Sequence, residues 1–266
     1  MPSSVIQAFI LTLLAGMSTA IGSFIALFAK RTNIKILSFS LGFSAGVMIF
    51  LSFADLLPAS KTAFTAELGN IKGSVMAVIC LIGGLIIAAI IDKLIPTFDN
   101  PDFTKKVEIN SRPENASSLV RMGVVSAIAL TMHNFPEGIA TFMASYADIH
   151  LGIPVAFAVA LHNIPEGIAV SIPIYYGTGN RFKALKYSVL SGLSEPLGAI
   201  AAYFILAPFI NELLLAGIFA SVAGIMIYIS FDELLPSADK YSKHFTSFFG
   251  VLAGMILMAT GLYFFH

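Results

Sequence analysis

Charge is what this chain has least of. Only 11% of its 266 residues are Asp, Glu, Lys or Arg, against about 25% in an ordinary soluble domain. Neither sign is in excess, with Lys+Arg and Asp+Glu at 15 each. A basic footprint for DNA or RNA is therefore missing, and nucleic acid is excluded as a partner. Cysteine is nearly absent as well. Cys80 stands alone, which excludes an internal disulfide and any CxxC zinc site. There is no GxxxxGK(S/T) segment to cradle a nucleotide. No lysine lies in the middle of an apolar run, so a retinal-type Schiff base has no anchor. What fills the chain is apolar: 57% of residues are hydrophobic and the mean hydropathy is +0.88. Such a composition belongs to a polytopic protein whose partner is the lipid bilayer.

A membrane-crossing helix needs about 20 apolar residues. Eight segments meet this, roughly 5–28, 36–57, 73–95, 119–144, 151–175, 184–207, 213–235 and 245–265. The first lacks a basic leader and a clear cleavage site, so it reads as a mature span. The longest polar stretch, 97–118, holds prolines, mixed charges and Asn/Ser. It reads as a loop within one transmembrane domain covering 1–266. With the N-terminus outside the cytoplasm, thirteen of the fifteen basic residues fall in cytoplasmic loops, and only Lys61 and Lys72 lie outside. The positive-inside rule then puts both termini outside and 97–118 inside.

The chain also repeats itself. Ala45–Pro58 (AGVMIFLSFADLLP) and Ala223–Pro236 (AGIMIYISFDELLP) share nine of 14 positions. A weaker echo links Gly16–Ala26 with Gly192–Ala202. Between these, His133–Ala140 (HNFPEGIA) and His162–Ala169 (HNIPEGIA) share seven of eight positions. The related spans cross in opposite directions. The expected fold is an all-α membrane protein of eight transmembrane helices, with spans 1–3 and 6–8 as inverted repeats and spans 4 and 5 pseudo-symmetric. Inverted repeats around a polar centre are a transporter architecture.

The HNxPEG segments carry the chemistry. Positions i, i+3 and i+4 of a helix share a face, so His133, Asn134 and Glu137 project together, as do His162, Asn163 and Glu166. Pro136 and Pro165 offer no N–H to the carbonyl four residues back, which frees backbone oxygen beside them. Gly138 and Gly167 allow close helix approach. Imidazole with carboxylate suits Zn²⁺, and the same oxygen-rich set is open to Fe²⁺ or Mn²⁺. A charged residue at mid-bilayer costs about 2.5–3.5 kcal/mol, which a divalent cation offsets. A lone buried His usually does no more than hydrogen-bond within a core, but two copies at identical spacing favour ligands. Glu195, in span 6, matches Thr19 in the weak repeat and reads as an added ligand present on one side only. Asp55, Asp232 and Glu233 lie near expected span ends. Solvated end-caps are the plain reading there, and an entrance (Asp55) and exit (Asp232, Glu233) are the functional one. Met48 and Met226 match in the repeat, and Met48 is carried as a possible thioether contact. His150, His244 and His266 lie at loops or the terminus and are set aside.

At these residues the sequence resembles the ZIP (Zrt/Irt-like) family of divalent metal transporters, in particular its compact bacterial zinc transporter branch. The resemblance covers nearly the whole chain. It implies import of Zn²⁺, with Fe²⁺ as a further candidate, across the bacterial inner membrane into the cytoplasm. It also implies a homodimer and a binuclear site. One metal would be held by His162, Glu137 and Glu166 with His133 nearby, the other by Asn134, Glu137, Asn163, Glu166 and Glu195. A block of spans 1, 4, 5 and 6 would move past a scaffold of spans 2, 3, 7 and 8. The loop at 97–118 departs from many relatives in having no histidine. The protein is not expected to be an enzyme. An intramembrane zinc protease needs HExxH, whereas Asn follows each motif histidine here. A metal-selective, channel-like pore built on the same ligands is the nearer alternative.

Overall fold

A computed structural model describes residues 3–28, 34–94, 116–241 and 244–265. Most of the 97–118 segment therefore lies outside the described residues. All regular structure among the described residues is helical. In chain order the helices are α1 (Ser3–Phe28), α2 (Ile34–Leu51), α3 (Leu57–Leu68), α4 (Asn70–Leu94), α5 (Ala116–Ala147), α6 (Ile149–Thr178), α7 (Arg181–Gly192), α8 (Ser194–Ala201), α9 (Glu212–Ile229), α10 (Leu235–Tyr241) and α11 (His244–Phe265). Six helical segments are long and apolar enough to cross a membrane: Ser4–Ile25, Ser38–Leu68, Asn70–Lys93, Ile149–Thr178, Arg181–Leu206 and Glu212–Asp239. Helices α5 and α11 stand where spans 4 and 8 were expected.

Spans 2 and 7 run further than their apolar pattern predicts. The expected ends, at 57 and 235, each fall just before a proline. Instead of stopping, each helix widens into one π turn, Ser52–Leu56 and Ser230–Leu234, and continues as α3 and α10. Leu57 N–H reaches back five residues to the Ser52 carbonyl, and Leu235 N–H does the same to Ser230. A proline removes one i→i−4 bond and crowds the carbonyl four residues back. The wider turn absorbs both effects, so Pro58 sits in the first turn of α3, where its missing N–H costs nothing.

Span 6 is broken, and beyond the break it too widens into a π turn, Ala202–Leu206. Leu193 interrupts it between α7 and α8, and its N–H bonds the Val189 carbonyl at 2.9 Å. Pro196 explains the break, because it cannot donate to Gly192. Glu195 thereby lands in the first turn of a fresh helix. Discontinuous helices at mid-membrane are a recurrent transporter device.

The inverted repeat is visible in the packing, glycine by glycine. A Cβ on Gly16 would strike the Gly192 carbonyl, and one on Gly192 would strike the Gly16 carbonyl. This self-reciprocal contact marks the pseudo-two-fold axis. Gly22 abuts the Ile164 carbonyl, and its repeat mate Gly198 abuts that of Phe135. Gly138 lies on the Glu195 backbone and Gly167 on the Thr19 carbonyl. Further out, Gly46 meets Val251 of α11, and its mate Gly224 meets Leu81 of α4. Small residues let membrane helices gain dispersion energy by close approach.

Two packing groups result. Helices α1, α5, α6, α7 and α8 contact one another, as do α2, α3, α4, α9, α10 and α11. The groups meet chiefly where α2 crosses α6. The most apolar stretch of α4 is only 17% buried, against 67% for the segment containing α2 and 61% for that containing α9. Ile79, Ile82, Ile86 and Ile90 of α4 therefore face outward, a surface suited to lipid, while the polar residues turn inward.

Candidate metal centre

The two HNxPEG segments meet at the centre of the first packing group. His133, Asn134 and Glu137 on α5, His162, Asn163 and Glu166 on α6, and Glu195 on α8 are each at most 1% exposed. Asp92 at the end of α4 and Glu233 in the second π turn approach from the other group.

His162 is held at both ring nitrogens. Nδ1 lies 3.1 Å from the Ala158 carbonyl, and Nε2 lies 3.0 Å from Glu137 Oε2. A backbone carbonyl only accepts, so Nδ1 carries a proton. The Nε2–Glu137 contact then depends on one further proton between the two groups. A metal ion can take that proton's place, with imidazole and carboxylate becoming its ligands. Asn163 is oriented just as firmly. Its Nδ2 donates to the Ala15 carbonyl at 3.0 Å and to the Glu195 carboxylate. Both amide hydrogens are thereby used, and Oδ1 is left with no hydrogen-bond partner.

The first copy of the motif is arranged differently. His133 has no hydrogen-bonding partner on either ring nitrogen, and Asn134 has none on either amide atom. The nearest acid to His133 Nε2 is Glu233 Oε1, at 3.5 Å. Both oxygens of Glu166, Oε1 of Glu137 and Oε2 of Glu195 also lack hydrogen-bond partners. Each such buried group costs about 1–3 kcal/mol, and a charged one more. A fold does not keep this many beside one another for packing. Imidazole nitrogen with carboxylate and amide oxygen is a cation's ligand set.

The donors are neighbours but not a closed cage. Among the described residues, no three His, Cys, Asp or Glu side chains converge tightly enough to hold one ion. His162 is turned to Glu137, and His133 to Glu233.

The outlying candidates divide. Asp55 is not at a helix end. It is buried in the first π turn, with α3 continuing beyond it. Asp232 and Glu233 occupy the equivalent turn, Asp232 exposed and Glu233 half-buried. The end-cap reading of these acids therefore gives way to acids set inside continuous helices. Met48 is fully buried in the apolar core shared by α2 and α9. Three neighbours escaped the sequence reading. Tyr228 donates to Asp92 Oδ2 at 3.2 Å, and Ser44 donates to the His162 carbonyl at 3.3 Å. The acid at the end of span 3 was a visible signal for Asp92. An ordinary serine in an apolar helix gave none.

The family model described as "ZIP Zinc transporter" matches residues 99–261, more than half of the chain. The chain belongs to the ZIP family. Its similarity to curated relatives is nearly end to end. It is 55% identical over 262 residues to the zinc transporter ZupT of Oceanobacillus iheyensis, covering 97% of this chain and 98% of that one. It is 52% identical over 265 residues to that of Lysinibacillus sphaericus, and 50% over 262 to that of Streptococcus mutans, covering 98% of both chains in each case. These ZIP relatives are named as transporters, not enzymes, in keeping with the missing HExxH.

Proposed function

We propose that this ZIP protein imports Zn²⁺ across the bacterial inner membrane into the cytoplasm, with Fe²⁺ as a secondary substrate. Relatives of this similarity carry the name zinc transporter. The observation that carries the reading is the group of buried, unpartnered donors where α5, α6 and α8 meet.

In this reading Zn²⁺ is cargo and the site is binuclear. His162, Glu137 and Glu166 hold one ion with His133 nearby. Asn134, Glu137, Asn163, Glu166 and Glu195 hold the other, and the two glutamates bridge. Met48 is a candidate thioether contact to the first ion. The second motif copy is the pre-ordered half, because His162 and Asn163 are already fixed by backbone carbonyls of α6 and α1. The first copy is the adjustable half. His133, within reach of Glu233, hands the ion toward the acids of the second π turn. Asp55 in the first π turn lines the entrance, and Asp232 and Glu233 line the exit. Eight helices cross the membrane with both termini outside and the 97–118 loop inside, and the working unit is a homodimer.

The test is metal uptake into liposomes across a panel of divalent ions. Glu137→Ala and Glu166→Ala should abolish zinc flux. Asp55→Ala should lower it at limiting zinc, with less effect at saturation. Wild-type flux in both glutamate variants would overturn the site assignment.

A further inference from the structure

An inverted repeat sets up a balance. If the two halves were identical, the state open to one face and the state open to the other would be mirror images of equal energy. Any contact present in one half and impossible in the other tips that balance. The structure contains one such contact across the boundary between the two packing groups. Ser44 of α2 is fully buried and donates its hydroxyl to the His162 carbonyl of α6 at 3.3 Å. Ser44 is itself rigidly carried. Gly42 and Gly46, on either side of it, lie against the Ser247 and Val251 carbonyls of α11. Gly250 and Gly254 return the contact onto Phe39 and Phe43 of α2. The α2–α11 pair thus moves as one piece. The hydroxyl ties that piece to the backbone of the residue whose imidazole faces Glu137.

The repeat register pairs Ala45 with Ala223 and therefore Ser44 with Val222. Valine has no hydroxyl, so the mirror contact, from α9 to the His133 carbonyl of α5, cannot form. His162 and His133 are the paired positions of the two HNxPEG segments, so the missing partner falls on the equivalent carbonyl.

We propose that Ser44 is a positioning residue that biases the transporter toward the arrangement seen here. It does so by latching the α6 motif to the α2–α11 pair through the His162 carbonyl. The proposal rests on the reading of the α5–α6–α8 cluster as the transported ion's site. A neutral hydrogen bond is worth about 2- to 10-fold in an equilibrium constant, and the latch shifts the balance of the two facing states by that factor.

The readout is the ratio of KM values for zinc influx and efflux, measured in proteoliposomes sorted to one orientation. Apparent affinity from a given face scales with the fraction of carriers whose site is presented there. A ratio of KM values therefore reports the balance, whereas misfolded protein lowers only Vmax. Ser44→Ala should move the ratio about 2- to 10-fold. Val222→Ser installs the mirror latch and should move it in the same direction, and the double variant should move it further. A Ser44→Ala ratio unchanged from wild type, or a Val222→Ser shift in the opposite direction, would overturn the proposal. Glu166→Gln, assayed alongside, separates the two layers. Wild-type zinc flux in that variant would discredit the ion site itself, and loss of flux would leave the Ser44 result to stand on its own.

Discussion

Replacing Glu166 by glutamine should make the protein more stable and less able to bind its cargo. Glu166 is 1% exposed, and neither carboxylate oxygen has a hydrogen-bond partner. An acid at the centre of a membrane helix costs about 2.5–3.5 kcal/mol. A buried neutral amide without partners costs about 1–3 kcal/mol. Glu166→Gln keeps the shape and removes the charge, so it should stabilise the metal-free protein by about 1 kcal/mol. For a chain of this size that corresponds to about 2–4 °C in Tm. With zinc the order should reverse. Ligand at 100 times its Kd stabilises the wild type by about 2.7 kcal/mol, on the order of 5–10 °C by the same conversion. Without the Glu166 carboxylate that gain should largely vanish. The assay is thermal unfolding in detergent or nanodiscs, with chelator and with graded zinc. A variant less stable than wild type in chelator, or one that keeps the full zinc shift, would refute the view that Glu166 is held ready for a cation.

Zinc binding should weaken as pH falls, because the proton between His162 and Glu137 competes with the ion. Isothermal titration at pH 5.5 and 7.5 should show more protons released and lower affinity at the acid value, and tighter binding at pH 5.5 would contradict this. Gly167→Ala should destabilise by about 1–3 kcal/mol, the usual cost of overpacking, because its Cβ would meet the Thr19 carbonyl. Gly83→Ala, with open space around it, should change Tm little, and equal effects of the two would sink the close-packing argument.

The residues gathered at the centre were legible because their identity and spacing recur in the chain. His133, Asn134, Glu137 and their second copy announced themselves by recurring in register. Glu195 stood out as an acid in an apolar run. Their state was not legible. Nothing in HNFPEG and HNIPEG shows that His162 faces Glu137 while His133 faces Glu233, since Glu233 comes from the second π turn, far along the chain. The ends of spans 2 and 7 were misjudged for a related reason. Pro58 and Pro236 look like stops to any local rule, and only the backbone shows a turn wide enough to carry the helix past them. Ser44 was invisible because one hydroxyl matters only once the carbonyl opposite it is known.

The π turns of spans 2 and 7 set a rule on chain length. Each holds one residue more than regular winding would use over the same rise. Removing a residue from Ser52–Leu56 would allow α2 and α3 to join as an unbroken α-helix. Everything beyond the cut would keep its facing, because five residues of π turn wind and rise about as far as four of regular α-helix. Only side chains inside the turn would be re-aimed. Asp55 and Glu233 are therefore pointed by a count of residues as well as by their surroundings. A one-residue deletion there would leave α3 or α10 against its present neighbours and turn the acid to a new direction. The extra residue serves the acids, and the helices beyond it do not depend on it.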